Sequence, residues 1–105
     1  MRVLLDECVP WPMHRLLMGH ECRTAQQEGW GGLKNGELLR LAETGFEVFV
    51  TADQNIRYQQ NLQQRKIAIL ELSSNDLRRI EASAELICSA LISIRPGDYV
   101  RVGIR

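Results

Sequence analysis

Four acids in this chain fall where an α/β fold would gather them. Asp6 and Glu7 follow the apolar run Val3-Leu4-Leu5, and Asp53 follows the run Phe46-Glu-Val-Phe-Val-Thr51. Glu37 lies in the first turn of the helical segment that leads into that second run. If the first and third strands are neighbours, Asp6 and Asp53 emerge side by side. Converging carboxylates repel one another, and without a cation at least one of them takes up a proton more readily than usual. With Mg²⁺ or Mn²⁺ they become hard oxygen ligands, alongside retained waters and substrate phosphates. A metal held in this way activates a water and stabilises the leaving oxygen of a phosphodiester. Each acid taken singly also suits an ordinary structural role. Asp53 can cap a helix and Glu37 is favourable in a first turn. Asp6 and Glu7 suit a solvated loop. Their joint position at strand ends is what favours chemistry.

The elements that must position these acids are legible as alternating short apolar runs and helical patterns. Val3 to Leu5 is a strand. Pro10 and Pro12 suit the first turn of a helix that runs through Met13, Leu16 and Leu17 and stops at Gly19. Cys22 to Ala25 is a second strand, followed by the glycine-rich turn Glu28 to Gly32. Asn35 suits the N-cap of the next helix, and Gly45 its end. Phe46 to Thr51 is the most strand-like stretch, and the segment from Asp53 through about Gln64 is a polar helix. Ile67 to Leu70 is a buried strand. Ser74 caps a long helix over about 75–94, whose apolar positions Leu77, Ile80, Ala84, Ile87, Leu91 and Ile94 recur at helical spacing. Tyr99 to Ile104 is a last strand at an edge. This order predicts a three-layer α/β/α sandwich with a mainly parallel sheet. Ligands of such sheets sit outside the carboxyl ends of the strands, at the switch point.

Composition narrows the class further. The 105 residues make one domain, residues 1–105, with the ordinary globular share of apolar (45%) and charged (25%) side chains. Basic and acidic residues number 13 each. That balance excludes a polybasic binder whose affinity comes from phosphate neutralisation alone. Cys8, Cys22 and Cys88 are odd in number, which argues against a disulfide framework. The first residues lack the apolar run of a signal peptide, and no window is long enough to span a membrane. A cytoplasmic protein with no membrane partner is expected.

The segments Leu4-Leu-Asp-Glu-Cys-Val-Pro10, Gly19-His20, Gly32-Leu-Lys-Asn-Gly-Glu-Leu-Leu39 and Val48-Phe-Val-Thr-Ala-Asp-Gln-Asn55 resemble the small bacterial PIN-like proteins, relatives of VapC-type toxin ribonucleases. The resemblance covers roughly the first 70 residues. It implies a PIN-like fold, a Mg²⁺- or Mn²⁺-dependent nuclease acting on RNA, and pairing with an antitoxin. Carried over, Asp6 matches the first acid and Asp53 the acid after the strand. Relatives often have an acid where this chain has Asn35, with Glu37 two places on, and another where it has Asn55. Asn35 and Asn55 can offer carbonyl oxygens but bring no charge, so the site is weaker than usual, or is assisted by Glu7 and Glu37, or has lost catalysis.

Beside this metal site, Arg57 and Tyr58 suit contact with an RNA phosphate and an unpaired base. A solvated helix face explains them slightly better, and of the two Arg57 is the stronger candidate for RNA contact. Trp11 and Trp30 suit small cores better than base stacking. Cys8, His14, His20 and Cys22 match no common zinc spacing. Leu86, Ile87, Cys88, Ala90, Leu91 and Ile92 make the second half of the long helix apolar around much of its circumference. The last strand, a homodimer or an antitoxin would cover it. Three functions are open at this stage: a metal-dependent ribonuclease, a catalytically degraded PIN-like interaction module, and a receiver-like phosphoacceptor domain. The last also wants a lysine after its fifth strand, where this chain has Gly103-Ile-Arg105.

Overall fold

A computed structural model describes residues 1–56 and 65–105. Its strands are β1 (Arg2–Leu5), β2 (Glu21–Thr24), β3 (Val48–Thr51), β4 (Ala68–Leu72) and β5 (Tyr99–Val102). They form one sheet in the order β2-β1-β3-β4-β5, and every neighbouring pair is parallel. The helices are α1 (Asn35–Ala42), α2 (Leu77–Ala82) and α3 (Ala84–Ser93), and a 3₁₀ helix spans Trp11–Leu17. The α/β class and the parallel sheet expected from the sequence are present. The helices and two cores are compatible with a three-layer sandwich.

The sheet separates two apolar cores, as the period-two alternation of strand side chains requires. On one face Val3, Leu5, Val48, Val50, Ala68, Leu70 and Leu72 pack with Met13, Leu17, Ile80, Ile87 and Leu91 from the 3₁₀ helix, α2 and α3. On the other, Leu4, Phe49 and Ile69 pack with Leu38, Leu39 and Ala42 of α1 and with Phe46. Burial on both faces explains why the strands read as continuous apolar runs.

Several boundaries differ from expectation. The single helix over 75–94 is two helices, because the backbone leaves helical geometry at Ser83 (φ −105°, ψ 16°). The buried Ser83 hydroxyl there accepts the Arg105 N–H. The cap of α2 is Asp76, whose Oδ1 accepts the Arg79 N–H at 3.1 Å; Ser74 instead accepts from the Asp76 N–H. Asn35 does not cap α1. Lys34 holds that position without a side-chain bond, and Asn35 is the first helical residue. The helix through Met13 is 3₁₀ rather than α. β4 reaches past Leu70 to include Glu71 and Leu72. Gln54 and Asn55 form a turn; the rest of the polar segment through Gln64 lies outside the described residues.

Candidate functional site at the carboxyl edge

The order β2-β1-β3-β4-β5 reverses direction between β1 and β3, which is the switch point where open parallel sheets bind ligands. Asp6 leaves β1 there. Its N–H donates to the Val50 carbonyl at 2.9 Å, extending the ladder by one residue. Its side chain therefore lies on the α1 face, beside Thr51 at the end of β3.

Thr51 is fully buried and joins the two acids. Its hydroxyl donates to Asp6 Oδ2 at 2.7 Å and accepts the Asp53 N–H at 3.0 Å. Asp6 Oδ1 accepts the Glu7 N–H at 2.8 Å. Asp53 Oδ1 accepts the Asn55 N–H at 3.0 Å, closing a local turn, and its Oδ2 accepts from Asn35 Nδ2 at 3.1 Å. Asn35 thus spends its amide on the acid after β3, across from the helix it begins. Asn55 takes part through its backbone.

Cys8 completes this cluster. Its thiol donates to Asp6 Oδ2 at 3.4 Å, and its sulfur accepts the Ala52 N–H at 3.4 Å. Burial of the sulfur pushes the thiol pKa up, and the Asp6 charge adds to the effect; the bonds from Ala52 and Thr51 oppose it. Burial and the Asp6 charge thus favour the neutral thiol, which disfavours a thiolate nucleophile here.

The remaining acids go elsewhere. Glu7 Oε1 accepts the Gly32 N–H at 2.7 Å and lies 3.2 Å from where a Cβ on Gly31 would stand. It ties the glycine-rich turn to the end of β1. Glu37 is exposed in the first turn of α1 and makes no hydrogen bond or ion pair with the other acids among the described residues. Arg57 and Tyr58 lie outside the described residues.

Sequence reasoning missed Glu71. It lies opposite Thr51 on β3 and Arg101 on β5, on the same sheet face as Asp6. It is fully buried. Tyr99 donates its hydroxyl to Glu71 Oε1. Arg101 Nε lies 3.0 Å from Oε2, in ion-pair contact but outside hydrogen-bond geometry. The signal was present as a carboxylate inside the apolar stretch Ala68-Ile-Leu-Glu-Leu72. A charge in a buried strand requires a partner.

Among the described residues, no three of Asp, Glu, His and Cys come together as a metal-holding group. Asp6 and Asp53 are two carboxylates, each with acceptor capacity left after the bonds above. That donor set suits Mg²⁺, which keeps several waters and takes only one or two protein carboxylates plus substrate phosphates. It does not suit a cation caged wholly by protein. Comparison with protein-family models, with curated proteins and with solved structures finds no match to this chain.

Proposed function

We propose that this chain is a metal-dependent ribonuclease of PIN-like type, the toxin component of a toxin–antitoxin pair, hydrolysing RNA phosphodiesters with Mg²⁺ or Mn²⁺. The observation that carries this reading is the Asp6–Thr51–Asp53 hydrogen-bond chain at the switch point of a parallel sheet. The resemblance of the segments bearing Asp6 and Asp53 to PIN-like proteins gives that chain its chemical sense. A bound divalent cation supplies charge neutralisation at the phosphate and an activated water. The chain's own residues orient the carboxylates. Thr51 holds Asp6 through Oδ2 and the Asp53 backbone through its N–H. Asn35 fixes Asp53 Oδ2, in the place where relatives often carry another acid. Glu37 and Glu7 are the nearest reserves of charge in the sequence pattern. The antitoxin is the macromolecular partner on this reading, and the exposed Leu86 and Ile92 of α3 are the apolar surface open to it or to a second copy.

Cleavage of a mixed single-stranded RNA pool tests the proposal. Wild type is expected to cut with Mn²⁺ and to stop in EDTA, and an Asp6→Asn, Asp53→Asn double variant is expected to be inactive. Equal cleavage by both proteins would refute the site. No cleavage by folded wild type would favour the non-catalytic module.

One observation favours a second reading. The strand order is also that of receiver-like phosphoacceptor sheets, with Asp53 just past β3. Against it, the Ser73 hydroxyl accepts the Ile104 N–H at 2.7 Å, and β5 is followed by Gly103-Ile-Arg105, where that design wants a lysine. Incubation with acetyl phosphate leaves the mass unchanged if the ribonuclease reading holds.

A further inference from the structure

Three polar side chains continue the row that Asp6 begins. Asp6, Thr51, Glu71 and Arg101 stand at matching positions of β1, β3, β4 and β5, all on the α1 face. Three strand spacings of about 4.8 Å separate the first from the last, roughly 14 Å in all. The row runs from a carboxylate at the switch point to a guanidinium at the edge strand. Its centre is dry: the Glu71 side chain is 1% exposed, whereas that of Arg101 is 48% exposed.

Arg101 is held from below. Its Nε lies against Glu71 Oε2, and Tyr99, two residues earlier on the same face, occupies Oε1. Among the described residues, the two terminal nitrogens of Arg101 make no hydrogen bond or ion pair. A guanidinium anchored through Nε, with both terminal nitrogens free, presents a planar fork that matches two phosphate oxygens. Stability alone is a poor reason for this arrangement, because an apolar pair at a buried position is often as stable as an ion pair or more so.

We infer that Arg101 is a phosphate contact for single-stranded RNA lying across the carboxyl edge of the sheet, and that Glu71 is the residue that positions it. The inference deepens the ribonuclease reading and rests on it. Arg101 grips the backbone at β5 while a phosphodiester farther along the strand reaches Asp6 and Asp53. Binding through Arg101 needs no metal, so it is measurable apart from cleavage.

The test is fluorescence anisotropy of a labelled single-stranded RNA in EDTA over a series of salt concentrations. The principal variant is Glu71→Gln with Arg101→Gln, which leaves the net charge unchanged and buries no unpaired carboxylate. Its fold is checked by circular dichroism. One phosphate contact on a single strand contributes about 0.7 to the slope of log affinity against log salt. The double variant is expected to lose that increment and to bind roughly fivefold more weakly at low salt. Arg101→Lys is expected to keep the slope but bind more weakly than wild type, because charge remains while the fork is lost. Glu71→Gln alone is expected to raise KM more than it lowers kcat. An unchanged slope and affinity in the double variant would overturn the inference even if wild type cleaves RNA. Loss of the increment in the double variant, beside a wild type that binds RNA but never cleaves it, would uphold the contact and defeat the ribonuclease reading. Absence of any RNA binding by wild type at low salt would defeat both.

Discussion

Thr51 is the residue on which the site depends. One hydroxyl satisfies Asp6 by donating and Asp53 by accepting, so the two acids are placed relative to each other by a single buried atom. Thr51→Val keeps the shape and removes both bonds. It is expected to cost about 1–2 kcal/mol in urea unfolding, with Thr51→Ser recovering most of the loss. Cys8 gives a second check at this scale. Its thiol pKa is raised in the folded chain, chiefly by burial. The stabilisation this contributes is therefore present below the unfolded pKa of about 8.5 and is lost as pH rises through the folded value. Iodoacetamide alkylation of folded Cys8 is expected to have its pH midpoint above that of free cysteine. A midpoint at or below it would contradict the described packing. Asp6 and Asp53 were legible as site candidates because each ends an apolar run. Asn35 was misread as a cap, since an asparagine before a helical pattern suits both roles and only the tertiary position of Asp53 separates them. Glu71 was passed over because nothing local shows that Tyr99 and Arg101 stand above it.

At the scale of elements, β1, β3, β4 and β5 each place a polar residue near the carboxyl end: Asp6 just past β1, Thr51 at the end of β3, and Glu71 and Arg101 one residue before the ends of β4 and β5. α2 begins with a true side-chain cap at Asp76, and it sits immediately after the β4 end that bears Glu71. Asp76→Ala is expected to cost about 1 kcal/mol, whereas Ser74→Ala costs less, because its hydroxyl serves the Asp76 backbone and no helix donor. Thermal unfolding of the two variants side by side measures the difference. The helical period from Leu77 to Ile94 was readable, but the break inside it was not. Ile80, Ile87 and Leu91 keep one buried stripe on both sides of Ser83, so the apolar spacing survives a change in backbone direction. The glycine-rich turn was legible as a turn, and glycines 29 and 32 have positive φ there. Its tether to Glu7 was not, because that contact spans 25 positions of sequence.

Among the described residues, the molecule is a parallel sheet with an apolar core on each face, and Asp6, Thr51, Glu71 and Arg101 form a polar row toward its carboxyl edge. No helix among the described residues is long and apolar enough to cross a membrane. The alternation of strands and helices was enough to foresee the parallel sheet, since short runs buried on both faces and separated by helical segments have few other solutions. The neighbours of each strand were not foreseeable beyond the assumed β1–β3 contact, and that contact is what brings Asp6 to Asp53. On the proposed ribonuclease reading, these two carboxylates act together on one divalent cation. Titration of the full chain with Mn²⁺, read by electron paramagnetic resonance of the free ion, tests it most directly. Wild type is expected to remove one Mn²⁺ per chain from the free pool, and Asp6→Asn and Asp53→Asn are each expected to weaken that site by tenfold or more. Binding that survives both substitutions unchanged, or no binding by wild type at millimolar Mn²⁺, would contradict the account.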